Sequence, residues 1–436
     1  MKLKLNYGRT ILIGFAFMSI CIFWQFYDNE IPRILKYTFG LGEGITGFIM
    51  ALDNVFALFL LPLFGTLSDK TNTKIGKRMP FILIGTVAST ILFQILINVA
   101  NVPGRLALFI VVLLMLLVAM GIYRSPAVAM MPDLTPPPFR SRANAIINLM
   151  GTVGAIYALA MISLLLKDAE DHAKTNYTPL ALAISVAMVV CVVILFFTIN
   201  ENGIRDKVTK EVEAAGLSMN DADDEASEKV AKAKEDGTID KESSMAPGVK
   251  RSLSFLLISV LLWFTAYNAV TTAFSRYVEE VWGLKNGAYA NCLMIATGAA
   301  VVSYLPIGWI SSKIGRKKTI LMGVATMSVC YLAGAFATSY SAAIVVMFVI
   351  IGFGWASINV NSYPMVVQMS NASDIGKYTG YYYTFSMAAQ VFTPIASGIL
   401  LEHVSYRTLF PYAFVFSTLA FVTMLLVKHG DSERQA

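Results

Sequence analysis

The chain has 436 residues, 56% of them hydrophobic, a formal net charge of +6, and only 14% charged residues, against about 25% in soluble domains. With a mean hydropathy of +0.63 it cannot hide its apolar surface in one or two soluble cores, so most of it must face lipid. The four cysteines (Cys21, Cys191, Cys292, Cys330) all lie inside apolar runs without metal-type spacing, which argues against a disulfide framework or a zinc site.

In chain order, Lys2, Lys4 and Arg9 precede a first apolar run. The start mimics a signal peptide, but no small-residue cleavage site follows, and it is read as a retained first helix. Runs long enough to cross a bilayer, about 20 residues each, fall near 9–30, 44–67, 79–99, 105–131, 141–166 and 178–200. Six more fall near 251–275, 287–311, 318–338, 341–368, 377–401 and 406–428. The expected organisation is a six-helix bundle over 1–200, a linker over 201–250 and a second six-helix bundle over 251–436. The linker carries thirteen acids and no long apolar run, so it reads as soluble, with one or two short amphipathic helices. With the N-terminus placed in the cytoplasm, 25 Lys and Arg fall inside and 8 outside, and Arg124 lies within a span. Leaving out the long linker, the ratio is still 16 to 8. The positive-inside rule then places both termini in the cytoplasm.

The loop after span 2 reads GTLSDKTNTKIGKRMPF (Gly65 to Phe81), and a shortened copy, GWISSKIGRKK (Gly308 to Lys318), follows span 8. A repeated six-plus-six pattern predicts two bundles that rock against each other around a solute site. The loop resembles the loop 2–3 signature of the major facilitator superfamily. Its form, with Pro62 one turn ahead and PDLTPPPFRSRANA (Pro132 to Ala145) at loop 4–5, is closest to sucrose-type carriers and the glycoside–pentoside–hexuronide:cation symporters. The resemblance implies an all-α polytopic fold of twelve transmembrane helices in two bundles. It also implies that Gly65, Asp69 and Arg78 act as conformational latch residues. Physically, Gly65 permits close helix packing, Asp69 can pair with the basic cluster or cap a helix, and Lys74, Lys77 and Arg78 can bridge helices in one state and release them in another. The gating set also takes in Gly76, Arg140 and Arg142 at loop 4–5, and Gly308 and Arg316 at the second copy. Where the first copy has Asp69 the second has Ser312, so any latch is lopsided. Alternatively, the bases only fix topology and touch lipid headgroups.

An ionisable group near mid-span costs about 2.5–3.5 kcal/mol on insertion scales and marks a functional site by default. Three such groups are candidates for cation coupling. Asp53 lies in span 2 (MALDNVFALFLLP) without a basic neighbour in sequence, and burial favours reversible protonation. In the related symporters, span 2 acids serve as cation sites but sit nearer the proline. Asp28 ends span 1 in WQFYDNE; it reads either as an outer-interface residue with Trp24 and Tyr27 as aromatic belt, or, one turn from Gln25 on one face, as cavity-lining, since span 1 lines the cavity in this superfamily. Arg124 lies in GIYRSPAVAMMPD of span 4. Sucrose-type carriers also have an arginine in this span, one turn further along at the position of Val128, so the equivalence is by helix face. Its guanidinium can bind an acid or sugar hydroxyls bidentately, or snorkel toward the cytoplasm.

In the second half, Tyr267, Asn268 and Thr271 of span 7, Trp355, Asn359 and Tyr363 of span 10, and Gln390 of span 11 form amide and aromatic stripes at helical spacing. Such stripes suit sugars, which bind through hydroxyl hydrogen bonds and C–H faces stacked on rings. With Trp24 and Gln25 they complete the expected solute-binding set. There is no phosphate-binding glycine loop, metal cluster or nucleophile elbow, so the expectation is a transporter, not an enzyme, without cofactor or nucleic-acid partner. It would carry a small polar solute, a sugar or glycoside, coupled to H+ or Na+, and would sit in the cell membrane, where a monomer suffices. The alternatives are an exporter or antiporter of amphipathic compounds, and a non-transporting membrane sensor.

Overall fold

The computed structural model describes residues 3–102, 104–169, 174–217, 219, 247–369 and 375–431. Among these residues it is built of helices, with one isolated bridge between Thr73 and Gly76. The first half holds α1 (Tyr7–Arg33), α2 (Glu43–Lys70), α3 (Met79–Ala100), α4 (Leu106–Asp133), α5 (Arg140–Leu165), α6 (Thr178–Thr198) and the short α7 (Glu201–Ala214). The second holds α8 (Pro247–Trp282), α9 (Tyr289–Ile314), α10 (Arg316–Phe336), α11 (Ala342–Met369), α12 (Ile375–His403) and α13 (Leu409–Leu425). All except α7 are long and apolar enough to cross a membrane, which gives twelve candidate spans among the described residues. Chain in lipid has no water to satisfy its backbone, and a helix does so internally.

Ten of the twelve spans begin and end within a few residues of the hydropathic expectation. Spans 1 and 7 are longer, at Tyr7–Thr38 and Pro247–Trp282. Each extension carries charge that ends a hydropathic run, and in each an arginine is paired inside the fold. Arg33 donates to Asp168 at 2.9 Å and lies 3.6 Å from Glu30; Arg276 donates to Glu43. Within 201–250, α7 buries Val208 and Val212, as expected of a short amphipathic helix; residues 218 and 220–246 lie outside the described residues.

The chain forms two compact units, Met1–Gly40 with Leu52–Ser227, and Leu41–Ala51 with Glu228–Ala436. In the first, α1 packs on α5 and α6, and α3 on α4 and α6; in the second, α8 packs on α12 and α13, and α10 on α11 and α13. These four pairings recur at the same places along each half, whereas the packing of α9 on α11 has no equally extensive counterpart of α2 on α4 in the first half. Small residues bring backbones together, as they do where lipid removes the hydrophobic drive between helices. A Cβ on Gly154 would lie 2.4 Å from the Met18 carbonyl oxygen, and one on Gly352 2.2 Å from that of Ala296. The first turns of α2 belong to the second unit. There Arg276 Nε donates to both Glu43 oxygens at 2.9 Å, the Tyr406 hydroxyl donates to Glu43, and the Gly44 N–H donates to Glu402 at 2.7 Å.

Candidate functional site

In the first unit, α1, α2 and α4 bring Asp28, Asp53 and Arg124 within electrostatic range of one another. The position of Arg124 is enforced on both sides. The Tyr123 hydroxyl bonds to Ser19 and to the Ala16 carbonyl (3.1 Å) of α1, and Ser125 Oγ donates to the Leu61 carbonyl of α2 at 2.8 Å. The guanidinium then lies over the Trp24 ring, 5.3 Å from its centroid, a cation–π placement. Trp24 meets Tyr27 edge-on at 5.1 Å. Asn54 Nδ2 donates to Asp53 Oδ1 at 2.7 Å. The buried Trp24 Nε1 and Tyr27 hydroxyl have no hydrogen-bond partner among the described residues. Gln25 is half-buried, and its carbonyl accepts from Asn29. Asn54 and Tyr27 were not among the expected site residues.

In the second unit, Tyr267 and Trp355 stack face to face, 3.7 Å between centroids and 1° apart, with Phe264 edge-on to Trp355 at 5.4 Å. The two rings chosen as separate sugar platforms therefore form one double platform. Asn268 Nδ2 is buried without a hydrogen-bond partner among the described residues, and Tyr304 is close enough to Tyr267 to interact electrostatically. Thr271 differs from expectation, since its hydroxyl donates back to the Tyr267 and Asn268 carbonyls of its own helix. Tyr363 also lies elsewhere, in a tyrosine cluster with Tyr382 and Tyr383, its hydroxyl 3.2 Å from Thr379 Oγ1. Asn359 and Gln390 are half-buried.

The gate loop forms a charged joint in the first unit. Arg78, 4% exposed, donates to Asp133 at 2.8 Å, to the Gly65 carbonyl at 3.3 Å, and to Ser68 and Asp69. Lys77 Nζ lies 3.0 Å from Asp133 and 3.7 Å from Asp69. Beneath them the buried Glu201 carboxylate accepts the backbone N–H groups of Lys77, Arg78 and Met79 at 2.8, 3.0 and 2.9 Å. This caps α3 with an acid from the start of α7, and a negative group suits the positive end of a helix. Gly76 makes the approach possible: its φ is +121°, and a Cβ there would lie 2.1 Å from Glu201 Oε2. Lys74 and Arg142 are exposed, while Arg140 donates to the carbonyls of Pro132 (3.3 Å) and Met219 (2.7 Å).

The second copy keeps the plan with Ser312 in the place of Asp69. Ser312 bonds back to its own helix at the Trp309 carbonyl, and Arg316 donates to the neutral Gln368 at 3.1 Å. Gly315, φ +96°, precedes an arginine and a lysine in the reverse order of Lys77 and Arg78, and the Lys317 N–H donates to Asp431 at 3.1 Å. Nothing would lie within 4 Å of a Cβ on Gly308, whereas one on Gly65 would meet Ser125 Oγ at 3.1 Å; the Gly308 position is open where its counterpart is packed. Glu201 and Asp431 were not singled out as capping acids in the sequence. A retrospective cue exists in both: each follows the sixth span of its half.

Two repeated six-helix units, one holding a charged cluster inside its spans and the other an aromatic platform, define a polytopic membrane carrier. Residues 13–305 and 292–436 match the Major Facilitator Superfamily, and the chain belongs to it: an integral membrane transporter, not an enzyme. Sucrose transport protein SUC3 of Arabidopsis thaliana is 28% identical over 137 residues, 27% of this chain and 23% of that protein's length. Among solved structures, the nucleoside transporter NupG superposes with a TM-score of 0.68 at 14% identity, over 97% of this chain and 100% of the other. The inward-open xylose transporter XylE from E. coli gives 0.67 at 12% identity, over 97% and 94%, and a peptide transporter POT gives 0.68 at 12%, over 96% and 93%. At these identities the solved structures share the fold.

Proposed function

We propose that this chain is a cation-coupled symporter of a small polar solute, a sugar or glycoside, working by alternating access in the cell membrane with both termini in the cytoplasm. The observation that carries the coupling is the charge count of the cluster in α1, α2 and α4: two carboxylates, Asp28 and Asp53, against one guanidinium, Arg124. With all three ionised the cluster is one positive charge short, and uncompensated charge inside a membrane protein is costly. A bound H+ or Na+ supplies that charge. The buried donors of Trp24 and Tyr27, the Tyr267–Trp355 platform and the buried amide of Asn268 are the chemistry that recognises hydroxyls and a sugar's C–H face. The partial likeness to a sucrose transport protein supports that substrate class.

The test is uptake by purified protein in liposomes under imposed H+ or Na+ gradients, paired with counterflow. Asp53→Asn fixes a neutral, hydrogen-bonding mimic of the protonated acid. Accumulation against a gradient is then lost, while counterflow of solute down its own gradient persists. Undiminished accumulation in this variant would falsify the coupling assignment, and loss of both modes together would make Asp53 a structural acid.

A further inference from the structure

The end of the first unit that carries α7 holds a cavity unrelated to the charged cluster. Its volume is about 500 Å³, within the range of small-ligand sites, and it is lined by Leu3, Lys4, Leu5, Asn6, Tyr7, Arg9, Lys207 and Glu211. Three bases from two segments about 200 residues apart in the chain thus converge with one acid, a formal excess of two positive charges. Among the described residues, neither Lys4 nor Lys207 has an acid within ion-pair distance. Lys4 and Lys207 are solvent-exposed, and a concavity lined mostly by one sign of charge draws in a counter-ion, here an anion.

We propose that this cavity holds the phosphate of an anionic phospholipid headgroup. A phosphate offers several oxygens to several bases at once, which a single carboxylate does less well. The lipid source follows from position. The cavity opens at the first turn of a span, where headgroups lie, and the next outward-facing residues, Tyr7 and Ile11, are 60% and 43% exposed apolar surface. Leu3 and Leu5 add apolar wall for the glycerol and the upper acyl chain. Basic pockets at the ends of membrane helices bind anionic headgroups by this chemistry. A lipid so held would bridge the start of α1 to α7, the helix that also supplies the Glu201 cap.

The experiment uses the full chain, purified in detergent and incubated with phosphatidylglycerol, with phosphatidylcholine, or with soluble glycerol phosphate, and retention is read by native mass spectrometry. The expected result is retention of phosphatidylglycerol in preference to phosphatidylcholine, with soluble glycerol phosphate failing to displace it at equal concentration. Each base near an anionic lipid surface contributes about a fivefold change in binding. The triple variant Lys4→Gln, Arg9→Gln, Lys207→Gln should therefore lose affinity on the order of a hundredfold. Glu211→Gln removes the one acid in the lining and should tighten retention about fivefold, which keeps the proposal testable should the triple variant fail to fold. Equal retention of phosphatidylcholine, unchanged retention by the triple variant, or no tightening in Glu211→Gln overturns it. Displacement by soluble glycerol phosphate overturns the lipid assignment and makes the site one for free phosphate esters.

Discussion

Glu201→Ala should loosen the first unit selectively. The side chain is 1% exposed and accepts three backbone N–H groups at the first turn of α3. Hydrogen bonds to charged groups contribute about 1.5–3 kcal/mol each, but the loop above is partly open, with the Lys77 side chain 20% exposed, and water can refill part of the space. A whole N-cap costs about 0.5–2 kcal/mol when replaced by alanine. Three shared bonds to one buried carboxylate sit above that range, at about 3 kcal/mol, which is on the order of a hundredfold in an opening equilibrium. The cysteines supply the assay, because Cys191 is buried in the first unit and Cys292 in the second. In single-cysteine backgrounds, labelling of Cys191 by a thiol reagent should accelerate about a hundredfold in Glu201→Ala, while Cys292 changes less than about twofold. Glu201→Gln, which keeps an acceptor oxygen and loses the charge, should fall between, near tenfold. Unchanged Cys191 labelling, or equal acceleration at both cysteines, would refute the capping argument.

Arg276→Gln removes a guanidinium that donates to both oxygens of the buried Glu43 carboxylate, and breaking such a pair costs up to about 3–5 kcal/mol; Cys292 labelling should accelerate, and the double variant Glu43→Gln with Arg276→Gln should recover most of the loss. Arg78→Lys keeps the charge but cannot reach four acceptors with one ammonium, so transport should slow about tenfold with solute affinity within about twofold, read by initial uptake rates at several solute concentrations. Asp69→Asn, which weakens the one exposed member of that joint, should slow turnover while leaving membrane insertion and solute binding nearly intact; normal turnover would remove Asp69 from the gate.

The spans were legible in the sequence because a bilayer demands an apolar length, and length survives any detail of packing. Asp28, Asp53 and Arg124 were legible for the converse reason: charge within such a length needs partners, and the three turn out to share one neighbourhood. Helix-face arithmetic was weaker. It put Trp355 and Tyr363 on one stripe, yet it cannot say which neighbour each stretch of the stripe meets, and Tyr363 meets the tyrosines of α12. Thr271 fails differently, since a hydroxyl can always bond back to its own helix. Glu201 and Glu43 were hidden because an acid at the edge of a polar loop reads as solvated, and their partners lie more than 120 and more than 230 residues away. The extra length of spans 1 and 7 was missed with them, because distant pairings likewise hold an arginine inside each extension.

The eleven residues Leu41–Ala51 come from the first half of the chain and pack in the second unit. A Cβ on Gly47 would lie 2.0 Å from the Pro394 carbonyl, and one on Gly398 2.4 Å from that of Glu43, so these backbones meet with no room to spare. The second unit therefore takes part of its packing, at Gly398 and around Glu43, from residues translated before the linker. During synthesis the start of α2 is available long before its partners Arg276, Glu402 and Tyr406 leave the ribosome, and it must wait in the bilayer for them. Expressed as two separate polypeptides, the halves should behave as fragments that complement each other: the later fragment alone should be short-lived, and it should be rescued by co-expressing the earlier one.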